Sequence, residues 1–563
     1  MRKLGIIGVA AAFGVTGAIL WACGGGDKPV VATVDSGGSD ATLDAGKSDD
    51  SATPGFGDVQ LSTEGGGSVS PIPETCKESK DRNSYIGCDY WPTVTLNPVY
   101  EKFDYAVAVS NPHSTAVTVS VSAGALAQPI SVQVPPNSVQ AIPLPWVKEL
   151  KGPQFDDNTV VGDPGPSRIV KKGAYHLTTD LPVSVYQFNA LEYEIDAGAG
   201  CPGFGDGGAG DHCFSYSNDA SLLLPANVAT GDYGVVGWPS FGATPGFMAI
   251  TATVDNTHVT VFPAGNVQGV PNNGPATMVR GDSYTYTLDS GDVLEMFSVV
   301  GDVRKPVYNS DLSGSIVKAD QPVLAFGGHG CTFIPQGKRA CDHLESSMFP
   351  VQTLGSQFIV ALPHTPHAEH IWVRIMGLYD NTLVAFDPPV SGRNGVVLNT
   401  GDVVDLPDVD KSFAIVANGR VNVVEYLQGE YANWSTDPDA GEPSPDLGDP
   451  SQSPAVPLQQ YRSTYTFIAP KTYAENWIDV ITPTGNVITL DGTAIPQSAY
   501  VPVGGQPFST ASVQLPPGSE GHEIHATSPF GLVVYGYGSR TSYMYPGGLD
   551  LRVFSVPEPP PPN

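Results

Sequence analysis

The residue types able to do chemistry crowd into one short stretch of this chain. Gly328-His329-Gly330-Cys331 is followed by Cys341-Asp342-His343-Leu344-Glu345. Two imidazoles, two thiols and two carboxylates are the donor types of a zinc site. The spacing matches no common zinc pattern, and cysteines this close in an exported chain oxidise. The stretch is therefore expected to be a disulfide-clipped loop. His329, Asp342, His343 and Glu345 become the candidate ligand-facing residues, with no metal and no other cofactor.

Other constellations carry less. Arg280-Gly281-Asp282-Ser283 contains both an adhesion-type tripeptide and a Gly-Asp-Ser triplet. Thr400-Gly401-Asp402-Val403 stands at the matching place in a later repeat, so Gly-Asp is a turn element. Ser283 leads into the alternating Tyr284-Thr285-Tyr286-Thr287-Leu288, a strand, whereas a nucleophile elbow leads into a helix. His364, His367 and His370 surround Pro366 in a loop, and a metal would need all three to converge. Asp437, Asp439, Glu442 and Asp446 lack the regular acid spacing and placed glycine of a calcium loop, which leaves a solvated loop. Cys88-Asp89-Tyr90-Trp91-Pro92 sets two aromatics beside a cysteine, a core-packing arrangement. There is no phosphate-binding glycine loop and no carboxylate pair. The chain is expected not to be an enzyme.

The start of the chain places these residues outside the cell. Arg2 and Lys3 precede an uncharged apolar run, Leu4 to Leu20, and Leu20-Trp21-Ala22-Cys23 closes it. This is the layout of a lipoprotein signal peptide over residues 1–22, with Cys23 as the lipidated first residue. Trp21 departs from the small residue usual in that slot. The expected location is a bacterial outer membrane or cell surface, with contact to the membrane through the lipid. Residues 23–75 form an acidic Gly/Ser/Asp tether, too poor in apolar residues to fold, and 557–563 are a proline-rich tail. The formal charge of -30 argues against nucleic acid as a partner. Cysteines beyond Cys23 fall in three close couples: Cys76 with Cys88, Cys201 with Cys213, and Cys331 with Cys341. Three short-loop disulfides are expected.

The elements that hold everything in place are strands. Gly and Pro are abundant, charged residues few, and Val, Thr, Tyr and Phe recur in short runs. Four segments repeat a strand after a polar or Pro-containing turn. They are Asp180-Leu181-Pro182-Val183, Asp320-Gln321-Pro322-Val323, Asn418-Gly419-Arg420-Val421, and Ser528-Pro529-Phe530-Gly531. A hairpin signal precedes each, as in Asp255-Asn256-Thr257 and Asp380-Asn381-Thr382. The spacing of about one hundred residues has room for six or seven strands, the number in a small sandwich. The expected fold is all-β: four tandem sandwich-like β modules packed together, with a β-propeller-like ring as the alternative. The repeated region is 76–556, with units at roughly 96–200, 219–330, 345–430 and 453–556. Insertions follow the Pro-Val strand at Asn189 to Asn218, Gly327 to Ser347, and Gln428 to Pro454. Equivalent points of repeated units predict that these insertions share one face.

Asp311-Leu312-Ser313-Gly314-Ser315, Asp320-Gln321-Pro322-Val323, Phe326-Gly327-Gly328-His329-Gly330-Cys331, Cys341-Asp342-His343-Leu344, Pro350-Val351 and Phe358-Ile359-Val360 together resemble the IgGFc-binding protein N-terminal domain family. The resemblance spans roughly residues 76 to 556 and is most specific over 311 to 363. It implies an extracellular β-rich binding module without known catalysis. Antibody binding belongs to the animal member and is not carried over to this chain. The expected function is an exported, lipid-anchored binding or adhesion protein whose partner is an extracellular protein or glycan. The alternative class is an exported hydrolase acting on a polysaccharide or peptide.

Overall fold

A computed structural model describes residues 72–154, 164–196, 212–270, 274–301, 310–338, 341–366, 370–430, 432, 447–553 and 559–561. Within them the chain is all-β, with two short helices at Cys76–Asp81 and Lys148–Lys151. Thr75 caps the first helix, its hydroxyl accepting from the Glu78 N–H at 3.2 Å.

The first module sets the pattern. A long strand, Tyr175–Asn189, takes part in two sheets. Its first half pairs with Val117–Ala123 and Gly87–Tyr90. Its second half pairs with Tyr105–Asn111 and with Asp219–Leu223. Ile130–Val134 and Ser138–Leu144 complete the two edges. The second module repeats this around Ser315–Thr332, and the fourth around Gly521–Gly538. The crossings between sheets fall near Pro182, Pro322 and Pro529. Proline has no N–H to give a ladder, so it suits the point where a strand leaves one sheet for the next. The third module has Asn418-Gly419-Arg420 at this place. There the long strand is split into Phe413–Ala417 and Val421–Leu427, in separate four-stranded sheets.

A buried tyrosine pins each unbroken crossing. The Tyr90 hydroxyl donates to the Val183 carbonyl at 2.5 Å, and Tyr233 to Val323 at 2.7 Å. Tyr465 makes the same bond to Phe530. The third module has Phe358 in the corresponding strand, without a hydroxyl, and its crossing is the broken one. The modules are also tied sideways. Arg168–Val170, from the first module's chain, adds to the second module's sheet beside Val293–Phe297. Arg374 of the third module bonds Asp405 at 2.7 Å, and reaches the second module at Gly237 O and Asp311, also at 2.7 Å.

The final strand of every module faces the centre. Asp219–Leu223 packs against Asp342–Ser347 and Thr541–Pro546, and Ser451–Pro454 packs against the same two. The four closing strands thus complete a cycle. The sandwich and the ring are both present: each module is sandwich-like, and the modules are arranged around their closing strands. Apolar contact fills the space between sheets, with Val107, Val119, Val185, Val261, Ile316 and Ile478 fully buried in one continuous core.

Candidate functional site

His329, Asp342, His343 and Glu345 do not lie in a ligand-facing loop. All four are 0% exposed. The physical reason is that the strands run further than the sequence pattern predicts. Ser315–Thr332 extends through His329, and Asp342–Ser347 is the closing strand itself. Only the connection between them, around the Cys331–Cys341 disulfide, is a loop. Burial pushes both imidazoles down to about 3, so they are neutral. His329 Nδ1 accepts the Cys331 N–H at 3.1 Å, and the His343 ring stacks near Phe247 at 6.1 Å. Among the described residues no group of three or more His, Cys, Asp or Glu is arranged to hold a metal ion.

The acids of this stretch organise the centre of the molecule. Glu345 lies between the first two modules and accepts from Gln187 Nε2 at 2.6 Å, from Thr95 Oγ1 at 3.1 Å, and from Asn189 and Ser221. Burial pushes its carboxyl up to about 7, and these donors pull it back. Asp342 accepts the Asn218 N–H at 2.8 Å, the Thr541 hydroxyl at 2.7 Å and the Ser542 N–H at 3.0 Å. Asp219 has the widest reach. Its Oδ2 accepts the N–H groups of Glu345 (3.0 Å) and Gln452 (3.2 Å). Its Oδ1 accepts from Ala220 N (2.9 Å), Ser451 Oγ (2.7 Å) and Met544 N (3.3 Å). One carboxyl group therefore receives donors from all four modules. Burial holds the Asp219 and Asp342 carboxyls well above the usual carboxylate range.

The starts of the closing strands meet at one end of this cluster. Asn218, Asp342, Thr541 and Ser542 bond each other there, and the Asp449 N–H donates to Ser542 Oγ at 3.0 Å. The connections that enter these strands leave from the same end. They touch across modules: Gly429 N–H to Ile334 O at 2.8 Å, Gly448 N–H to Gly538 O at 2.9 Å, Tyr193 N–H to Thr472 Oγ1 at 3.1 Å, and Arg540 to Glu430 at 3.8 Å. The predicted insertions thus depart from a common pole. Much of each is not loop, however. The first contains the hairpin Glu194–Asp196 with His212–Phe214, and the third ends in the buried strand Ser451–Pro454. Half-buried aromatics stand at this pole: Phe214 and Tyr216 with ring centroids 5.9 Å apart, and Phe333 against Phe241 at 4.4 Å. Sequence reasoning missed them, because the signal is shared position at the end of a repeat and not a motif.

The remaining candidates resolve individually. Cys76–Cys88 and Cys331–Cys341 are disulfides, and Cys213 is disulfide-bonded. Its expected partner Cys201 lies outside the described residues, as do Cys23, His367 and the acids Asp437, Asp439, Glu442 and Asp446. His364 stacks on Trp477 with centroids 3.9 Å apart. Arg280, Gly281 and Asp282 form an exposed turn in which the Asp282 carboxylate accepts the Val279 N–H at 2.9 Å, before the strand Tyr284–Leu288. Trp91 is buried against His176, and Tyr90 is a crossing pin.

The described residues thus form an all-β scaffold of repeated modules, with His329 and His343 sealed in the core and the module connections gathered at one pole. Residues 219–536 match the family model described as IgGFc binding protein. The chain belongs to the IgGFc-binding protein family. No curated protein matches it.

Proposed function

We propose that the chain is an exported surface protein that binds an extracellular protein or glycan through the pole where its module connections meet. Cys23 carries the lipid that anchors it. The observation supporting this reading is the mutual bonding of Asn218, Asp342, Asp449, Thr541 and Ser542, which sets four connections side by side on a rigid base. Loops on such a base can vary in sequence while the framework holds them still. Half-exposed aromatics among them supply the anchors that dominate binding energy at interfaces. The family to which the chain belongs is one of binding proteins. The test is an array of extracellular proteins, immunoglobulin included, and of glycans, probed with the mature chain. Affinity for a captured partner is expected to fall at least tenfold in Phe214→Ser/Tyr216→Ser with the melting temperature preserved. Unaltered affinity in that variant would move the site away from the pole.

A further inference from the structure

A groove of about 450 Å³ runs between the first and fourth modules. Asp491 and His522 line it, and Ser519 stands on the turn just before them in the long strand's approach. His522 Nδ1 lies 2.7 Å from Asp491 Oδ2, and His522 Nε2 lies 3.0 Å from Ser519 Oγ. The aspartate is held in place: its Oδ1 accepts the Glu523 N–H at 3.0 Å, and its own N–H donates to Glu523 O at 2.9 Å. The imidazole is held as well. Its side chain is 1% exposed and stacks on Phe467 with centroids 5.3 Å apart. Ser519 is partly exposed, beside Gly518, whose positive φ of 74° faces open space. In the tautomer that donates Nδ1–H to Asp491, Nε2 presents its lone pair to the serine hydroxyl. That is the order of contacts by which a serine is activated as a nucleophile. The Pro516 carbonyl, 2.5 Å from Ser519 Oγ, is the competing acceptor for the serine proton.

We propose that Ser519, His522 and Asp491 form a nucleophilic triad that hydrolyses carboxylic esters of polar, non-anionic molecules at the edge of this groove, which Asp491 and His522 line and Ser519 adjoins. Ser519 Oγ adds to the ester carbonyl carbon while its proton passes to His522 Nε2. The tetrahedral intermediate expels the alcohol oxygen, which takes that proton, and an acyl-serine ester remains. Water then adds to the acyl carbon and gives its proton to Nε2. Collapse releases the carboxylic acid, and Ser519 recovers its proton. Ester and water give acid and alcohol, with no other reactant. Asp491 is the positioning residue that fixes the tautomer and plane of the ring. The groove bears on the substrate class: Asn137, Ser138 and Thr464 bring neutral polar side chains to its lining, while Glu520 and Glu523 disfavour anions.

The mature chain is treated with a fluorophosphonate probe and mapped by peptide mass. One adduct is expected, on the peptide carrying Ser519, together with p-nitrophenyl acetate turnover. Ser519→Ala, at a partly exposed position, keeps the fold and is expected to lose both. His522→Gln is expected to slow labelling at least a hundredfold. Asp491→Asn is expected to slow it while leaving the melting temperature in place, which a purely structural contact would not do. Absence of a Ser519 adduct on the folded wild-type chain, or ester turnover unchanged in Ser519→Ala, overturns the proposal. It would then assign the three residues to holding the turn. Neither outcome bears on binding at the pole.

Discussion

Asp219 is the residue whose loss should be felt most widely. Its carboxyl accepts four main-chain N–H groups and one hydroxyl, and three of the N–H groups belong to other modules. Asp219→Ala leaves those donors in a site with no exposure. A buried donor deprived of its acceptor costs about 1–3 kcal/mol, and the void left by the side chain admits water that satisfies some of them. The net loss is therefore set at roughly 4–6 kcal/mol, a large part of a typical domain's stability of about 5–15 kcal/mol. Asp219→Asn keeps the shape, yet N–H donors approach both oxygens, so the new amide group must face one of them either way round. That variant is expected to lose about 2–4 kcal/mol. Unfolding entropy near 2 cal/mol/K per residue makes roughly 1 kcal/mol per degree for a body of this size unfolding as a unit. The expected drops are then about 4–6 °C and 2–4 °C. Differential scanning calorimetry of the mature chain measures them, with the exposed Asp282→Asn as a control expected within about 0.5 kcal/mol of wild type. Two Asp219 variants that melt with the wild type would refute the view that this carboxyl joins the modules.

Stability should also fall as pH rises from about 6.5 to 8. Burial lifts Glu295 to about 8 and Glu345 and Asp479 to about 7, so the folded chain keeps protons that the unfolded chain has already lost. His329 and His343, depressed to about 3, act oppositely only below the unfolded histidine value of about 6.5, and Lys151, lowered by burial to about 7, is a single group opposing the three carboxyls above pH 7. A melting temperature that rises across pH 6.5–8 would contradict this. Arg374→Ala should cost about 2–3 kcal/mol in calorimetry. This is less than for a sealed ion pair, because Asp311 and Asp405 are partly exposed and regain water. Cys331→Ser/Cys341→Ser should lose at most about 2–3 kcal/mol, since the closed loop is short, and non-reducing peptide mapping should pair Cys201 with Cys213. Cys23→Ser should leave the protein unprocessed or in the soluble exported fraction. Unchanged membrane association with an uncleaved N-terminus would remove the anchor.

Much of the fold was legible because the repeat is written in local chemistry. The Asp-x-Pro-Val strands, the Asp-Asn-Thr hairpins and two of the three close cysteine couples each fix a piece of backbone, and they reappear as the long strands, their neighbours and the disulfides Cys76–Cys88 and Cys331–Cys341. The centre was not legible for a matching reason. Asp342, Glu345 and the two histidines are polar, and polar residues near a disulfide suggest solvent. The burial of the two carboxyls is made tolerable by donors far away in sequence, such as Asn189, Asn218 and Thr541. No window around residue 342 contains those partners. The approach of Ser519 and His522 to Asp491 was hidden in the same way, since a strand pairing brings the aspartate across.

The division of labour at the centre bears on how such a protein can change its partner. The groups that meet Asp219 from the other modules are mostly main-chain N–H groups, which any residue except proline at positions 345, 452 and 544 would present. Asp219 is thus a fixed point whose own bonds survive a change of side chain at these positions, although Glu345 and Gln452 are held by further contacts of their own. Just beyond, the fourth module passes from its long strand to its closing strand through Ser539 and Arg540 alone, whereas the first inserts a whole hairpin at the same point. Connections of such different length fit one framework because the closing strands are anchored behind them. Lengthening a surface loop adds little closure cost. The connections at the pole can therefore be rebuilt at small cost to the core beneath them.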